Sequence, residues 1–314
     1  MALFHLIVAV VAAIALFLYG LQGFSYQLKT VGADTLRHWL GKFTANRWAA
    51  FGVGAVSTAI LQSSSAVTSL TVALVDASVI SFRASLGVLL GANVGTTATA
   101  WLVSFKMTGL GLILIALGAL LQLLPARHGR IGKVVFYFGM IFFALDLISK
   151  AMLPLGQMPA VLEFLALAET PVIGVLAGLV ITAILQSSSV TTGLAIVLVQ
   201  QGLLPPQAAI AITIGANIGT TSTALIASVG MNALARKTAR YNLLFNTLGV
   251  LLLLPFIGVF STWLTQHISD TGQAVAAAHL LFNLGMSLTF LLCLNSLLNL
   301  VERNRHFNPI QPLA

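Results

Sequence analysis

Along this chain apolar residues run together in long stretches, and polar positions gather into short clusters between them. The stretches Leu3–Phe24, Thr108–Pro125, Val134–Leu153, Tyr241–Leu264 and Ala276–Leu300 each approach the roughly 20 residues that a helix needs to cross a hydrocarbon core. Composition points the same way. Of the 314 residues, 58% are hydrophobic and 7% charged, where a soluble domain carries roughly 25% charged residues. Mean hydropathy is +1.01. So little polar surface cannot clothe a water-exposed fold, and the pattern predicts an all-α polytopic membrane protein.

One block occurs twice. Thr58–Ala100 reads TAILQSSSAVTSLTVALVDASVISFRASLGVLLGANVGTTATA, and Thr182–Ala224 reads TAILQSSSVTTGLAIVLVQQGLLPPQAAIAITIGANIGTTSTA. At a constant offset of 124 residues, without a gap, 21 of the 43 positions are identical. Apolar filler matches by chance, but an eight-residue identity containing one Gln and three Ser does not, so the duplication is real. A fainter echo, LLFN at Leu243–Asn246 and Leu280–Asn283, carries little weight alone.

Within each copy the arms around QSSS are short. Ala49–Gln62 has 14 residues, roughly 21 Å as a helix, against about 30 Å of hydrocarbon. Ala66–Ile80 is equally short. The natural reading is a re-entrant helical hairpin with QSSS at its tip, over 49–80 and again over 171–202. Pro171 opens the second hairpin and Pro205-Pro206 closes it. The segments after the hairpins, 84–105 and 208–229, are long enough to cross but are expected to break at Gly91–Gly95 and Gly215–Gly219. The chain thus divides into repeat 1 (1–133: span, cytoplasmic linker, hairpin, broken helix, span 108–125), repeat 2 (134–265: span, hairpin, broken helix, span 241–264) and a final span with a short tail (266–314).

Charge sets the orientation. With Leu3–Phe24 running from outside to inside and the linker Ser25–Trp48 in the cytoplasm, 13 of the 15 Lys and Arg are cytoplasmic. They are Lys29, Arg37, Lys42, Arg47, Arg83, Arg127, Arg130, Lys133, Arg236, Lys237, Arg240, Arg303 and Arg305; only Lys106 and Lys150 fall outside. This matches the positive-inside rule. The C-terminus is then cytoplasmic, and the two repeats have opposite orientation, the inverted-topology arrangement of many secondary transporters. A cytoplasmic (inner) membrane is the expected location. No basic n-region precedes Leu3, so the first run is expected to be a span rather than a cleaved leader.

Non-helical backbone at membrane depth survives only where it lines a cavity or is buried in protein. Two serine-rich tips and two glycine-flanked breaks supply four such stretches. Opposed hairpins bring the tips together. There, N–H groups freed at helix N-termini and Ser hydroxyls suit an anion, while exposed carbonyls and Gln, Asn and Thr oxygens suit Na+. No Arg or Lys lies at the tips or breaks, so an anion is held by neutral donors, dipoles and co-bound cations. Each motif also has a plain structural reading, because Ser and Gly commonly let membrane helices pack closely. Asp76 is an intramembrane acid and a functional candidate. Asp146 and Lys150 share a helix face and can pair, while Asn246, Asn283 and His279 read as interhelical hydrogen-bonding residues.

Other classes are disfavoured. The positive charge is scattered among loops, with no basic face for nucleic acid. Cys293 is the single cysteine and permits no intrachain disulfide. No His or Lys neighbours either QSSS, and no GxSxG elbow occurs, so an intramembrane serine hydrolase is unsupported and no enzymatic activity is expected. A sodium carrier of carboxylates and a non-transporting scaffold or sensor are the remaining rivals.

Duplicated TAILQSSS followed by GAN-[VI]-GTT resembles the type II sodium/phosphate cotransporter family over essentially the whole chain to about Leu300. The resemblance implies sodium-coupled symport of inorganic phosphate, with Na+ as the coupling ion. It places phosphate at Gln62, Ser63, Ser64, Ser65, Gln186, Ser187, Ser188 and Ser189. It places sodium at Gln62, Gln186, Ser65, Ser189, Thr68, Thr192, Asn93, Thr96, Thr97, Asn217, Thr220 and Thr221. Some bacterial relatives are thought to export phosphate, and many carry an additional cytoplasmic helical domain; with this sequence stopping at Ala314, just past the last span, that regulatory function is expected to be absent or to sit on another chain. A homodimer and a separate cytoplasmic regulatory protein are therefore further partners to test, beside phosphate, sodium and the lipid bilayer.

Overall fold

A computed structural model describes residues 2–42, 46–105, 109–154 and 157–306. Among them every regular element is helical. In chain order these are α1 (Ala2–Lys42), α2 (Arg47–Leu61), α3 (Ser64–Asp76), α4 (Phe82–Ser104), α5 (Leu110–Gln122), α6 (Ala126–Met152) and α7 (Pro159–Ala166). They continue as α8 (Pro171–Leu185), α9 (Ser188–Gln200), α10 (Pro206–Ala227), α11 (Ala233–Leu253), α12 (Ile257–His267) and α13 (Thr271–His306). Six stretches are long and apolar enough to cross a membrane: Phe4–Thr30, Phe82–Ser104, Gly129–Met152, Pro206–Ala227, Ala233–His267 and Thr271–Leu294. Large apolar side chains such as Leu112, Ile113, Leu120, Leu252 and Val259 stay exposed, as lipid-facing residues of a membrane helix do.

The hairpins turn within two residues. Asn46 caps α2 by accepting from the N–H groups of Trp48 and Ala49, and α2 ends where Gln62 adopts a left-handed backbone (φ 51°). Ser63 then caps α3, accepting from the Ala66 N–H at 3.3 Å. In the second half, Pro171 occupies the first turn of α8, and Gln186 repeats the left-handed turn (φ 54°). The stretch Pro159–Glu169 meets α8 at 103°.

Each hairpin lies along the helix that follows it. A Cβ on Gly91 would sit 1.9 Å from the Phe51 carbonyl oxygen, and one on Gly95 2.3 Å from that of Ala55. The same spacing recurs 124 residues on, where Gly215 abuts the Val175 carbonyl and Gly219 that of Leu179. Numbers rise together on both partners, so α2 runs parallel to α4 and α8 parallel to α10. A chain that goes down α2 and starts down α4 in the same direction must have come back through α3. At 15 and 13 residues, α2 and α3 are too short to cross about 30 Å of hydrocarbon, and the hairpin reads as re-entrant.

The halves are inverted. Ser189 on α9 lies 3.4 Å from Thr99 on α4, and Gln200 further along α9 donates to the Ser104 carbonyl at 2.9 Å. Hence α9 leaves its tip in the direction that α4 travels, whereas α3 leaves its own tip the opposite way.

Three expectations are corrected. The segments 84–105 and 208–229 do not break: α4 and α10 run unbroken through Gly91–Gly95 and Gly215–Gly219. Those glycines remove side chains where a neighbouring backbone approaches. The linker does not begin at Ser25, because the stretch long and apolar enough to cross runs Phe4–Thr30 and α1 continues as helix to Lys42. The span expected over Thr108–Pro125 is a 13-residue helix, α5, about 20 Å long. It lies antiparallel on α6 with Gly111 against Phe143 and Gly118 against Phe136. Lys106 and Thr108 lie outside the described residues.

Candidate functional site

Both hairpin tips line one cavity of about 530 Å³, roughly the volume of 18 liquid waters at ~30 Å³ each. Gln62 through Ser65 come from one half and Gln186 through Ser189 from the other. The third wall is α1, through Gln22, Ser25, Tyr26 and Lys29 among others, and Tyr137 of α6 completes it. Gly23 admits Tyr137, whose ring occupies the space a Cβ there would need. Ser25 Oγ donates to the Leu61 carbonyl at 3.0 Å, which fixes α1 against the first tip.

The glutamines hold the tips in shape. Gln62 Nε2 donates back to the Ala59 carbonyl, and its Oε1 accepts from Thr99 Oγ1 at 2.8 Å. Gln186 repeats this, donating to the Ala183 carbonyl and accepting from Thr223 Oγ1 at 3.0 Å. It also donates to Ser222 Oγ at 3.0 Å. An amide, with donor and acceptor on one carbon, makes both bonds at once and offsets the cost of a left-handed non-glycine residue. The tips also touch: Ser65 Oγ donates to the Gln186 carbonyl at 3.4 Å.

Each tip joins the carbonyl end of one helix to the amide end of the next. It therefore offers a cation-favouring and an anion-favouring helix terminus within two residues of each other. The halves differ in one respect. Ser63 caps α3, whereas Ser187 makes no side-chain cap to α9, leaving those N–H groups and that hydroxyl available.

The eight QSSS residues come together, but the remaining sequence candidates do not reach the cavity. Asn93, Thr96, Thr97, Asn217 and Thr221 are buried, and their side chains bond helix carbonyls or, for Asn93, Asn246 Oδ1 at 3.1 Å. Thr68 is buried also. Thr192 and Thr220 keep buried hydroxyls without a partner. Asp76 serves the fold, accepting from the Asn232 N–H at 2.7 Å. Asp146 accepts from the Gly109 N–H at 3.1 Å and forms no ion pair with Lys150 among the described residues. His279 is buried with both ring nitrogens unpartnered, so it makes no interhelical bond. Among the described residues no group of three His, Cys, Asp or Glu could hold a metal.

Residues missed from sequence are Thr99, Ser222, Thr223, Tyr137 and the α1 wall. Thr99 and Thr223 are identical in both copies of the repeat, and that identity was the available signal. Lys29 corrects the expectation of a wholly uncharged site.

A second cavity, about 230 Å³, lies beyond the first and is lined by Val103, Phe142, Asp146, Lys150, Gln200 and neighbours. Both cavities border α9, the first at Ser188–Val190 and the second at Val197–Gln201. The seven helical steps from Val190 to Val197 span about 10 Å. Between them Phe17 is fully buried, and a Cβ on Gly193 would lie 2.9 Å from its ring and 3.8 Å from Val103.

The profile of the Na+/Pi-cotransporter family matches this chain twice, over residues 16–150 and again over 156–290. The chain belongs to that family. It is 32% identical over 300 residues to "Uncharacterized protein YqeW" of Bacillus subtilis (strain 168), covering 95% of this chain and 97% of that one. It is 30% identical over 294 residues to "Putative inorganic phosphate export protein YjbB" of Escherichia coli (strain K12), covering 93% of this chain but about half (53%) of that protein. Against "Sodium-dependent phosphate transport protein 2B" of Homo sapiens it is 35% identical over 136 residues, 40% of this chain and 20% of that protein. No solved structure matches it. The double match restates the internal duplication in terms of the family as a whole.

Proposed function

We propose that this protein is a secondary active transporter that carries inorganic phosphate, coupled to Na+, across the cytoplasmic membrane by alternating access. The observation that carries this reading is the convergence of two inverted QSSS tips on a single cavity. Each tip pairs a helix amide end for an oxyanion with a helix carbonyl end for a hard cation. Bringing both ions in together offsets the desolvation cost of each. Ser63–Ser65 and Ser187–Ser189 are assigned to phosphate. The backbone carbonyls beside Gln62 and Gln186, with the Ser65 and Ser189 hydroxyls, are assigned to sodium.

The plug of Phe17, Gly193 and Val103 between the two cavities supports alternating access. In this conformation the plug closes the path toward Lys150. With the basic end of α1 on the cytoplasmic side, the large cavity belongs to an inward-facing state.

Uptake of labelled phosphate into proteoliposomes tests this reading. A Na+ gradient is expected to drive accumulation, and uptake indifferent to that gradient removes the coupling. An outward direction in the cell is the second reading, favoured by the E. coli relative, which is named as an inorganic phosphate export protein. Flux measured with the gradient imposed either way, at controlled voltage, separates the two.

A further inference from the structure

Lys29 is the one charged side chain among the described residues lining the cavity between the tips. It is half-buried and forms no ion pair with another described residue. Its level is fixed by Ser25, one turn earlier on α1, which donates to the Leu61 carbonyl beside Gln62. Four residues put Lys29 about 6 Å further along the helix axis. Helical side chains lean back toward the N-terminus, so the Lys29 stem is directed over the turn that carries Ser25. A lysine stem is long enough to span that distance, and Lys29 lines the same cavity as tips that otherwise present only neutral donors.

We propose that Lys29 is a specificity-determining residue: its ammonium holds the doubly charged oxyanion, so that the transporter selects HPO4²⁻ over H2PO4⁻. This rests on the phosphate reading above. Hydroxyls and backbone amides respond to the shape of a tetrahedral oxyanion, and the two protonation states are nearly the same shape. A fixed cation attracts the dianion twice as strongly as the monoanion. The other titratable groups lining the cavity are Tyr19 and Tyr26 of α1 and Tyr137 of α6, and neither hairpin brings any. The pH response of binding therefore resides in the anion and in Lys29 itself.

The test uses full-length protein in proteoliposomes and follows half-saturation by labelled phosphate as pH converts the monoanion into the dianion. For wild type, affinity for total phosphate rises with pH. For Lys29→Gln, half-saturation is expected to rise roughly tenfold or more, as for loss of a hydrogen bond to a charged group, and its pH dependence to flatten. Lys29→Arg keeps the charge and is expected to keep the pH profile. Arg240→Gln, exposed on α11, which contributes no residue to the cavity, controls for loss of one positive charge. Equilibrium binding of labelled phosphate to the solubilised variants gives the same comparison independently of turnover. If Lys29→Gln retains wild-type half-saturation and pH profile while Na+-driven uptake persists, the role of Lys29 is refuted and the phosphate reading stands. If wild type takes up no phosphate, both fall.

Discussion

The glycines at which α4 and α10 were expected to break are instead the points of closest approach to the hairpins, and this makes a sharp prediction. In Gly91→Ala the new methyl would start 1.9 Å from the Phe51 carbonyl oxygen and 2.9 Å from the Ala55 amide nitrogen. Both are backbone atoms, so no side-chain rotation relieves the clash. Reaching an ordinary contact near 3.5 Å moves α2 away from α4 by about 1.5 Å. Overpacking of this kind costs roughly 1–3 kcal/mol. The displacement is passed to Gln62, since α2 is one continuous helix from Phe51 to the tip and the Thr99–Gln62 bond of 2.8 Å has little slack. A misplacement of about 1 Å can cost on the order of a hundredfold in rate. Gly91→Ala and its mate Gly215→Ala are thus expected to lower Tm in detergent by several degrees and to abolish most phosphate flux. Gly285→Ala on α13, with nothing within 4 Å of its Cβ, is the control. It should gain about 1 kcal/mol from helix propensity and keep full flux. If Gly91→Ala matches that control in both Tm and flux, the parallel glycine seam is not what sets the tip.

Further outcomes are expected. Thr99→Val and Thr223→Val each remove the donor to a tip glutamine and leave its carbonyl unpaired, costing about 1–2 kcal/mol; half-saturation by phosphate rises severalfold and Thr→Ser restores it. Ser63→Ala loses a helix cap worth about 1 kcal/mol and lowers Tm, whereas Ser187→Ala leaves Tm alone and weakens phosphate binding, so equal Tm losses in the two variants overturn the asymmetry. Thr58 keeps a buried unpartnered hydroxyl because Val67 stands where the second half has Thr191, which bonds Thr182 at 2.7 Å; Val67→Thr is expected to raise stability by about 1 kcal/mol, read by chemical denaturation. Gly193→Val forces Phe17 from its seat and is expected to stall exchange between the two sides while equilibrium phosphate binding persists.

What the sequence revealed and what it concealed have physical reasons. Eight consecutive identities made the tips unmistakable, and charge asymmetry between loops disclosed the inversion without any coordinates. The Gly91–Gly95 spacing was ambiguous, because a glycine pair signals either a break or a close neighbour, and the neighbour here is α2, some 40 residues earlier. Lys29 was assigned to a cytoplasmic linker because the apolar run stops near Phe24. Yet Gln22, Ser25, Tyr26 and Lys29 recur at helical spacing, a polar stripe that extends α1 and marks its cavity face. Asn93 and Asn217 follow from the GAN-[VI]-GTT motif, which ends before Thr99 and Thr223. Which face of α4 meets the tip depends on the register against α2, and register was not visible along the chain.

The parallel seam also bears on how the molecule is made. When α2 leaves the ribosome it is too short to cross the bilayer, and it ends in a polar corner. The surface it must lie against, on α4, has not yet emerged. Insertion helix by helix cannot complete this element. The first hairpin must wait near the membrane interface, or shelter beside the insertion machinery, until α4 arrives to receive it. The second hairpin meets the same delay with α10. Chains arrested with α4 still inside the exit tunnel, and later with α4 fully emerged, should therefore differ in whether a probe at Ser64 has reached its buried setting.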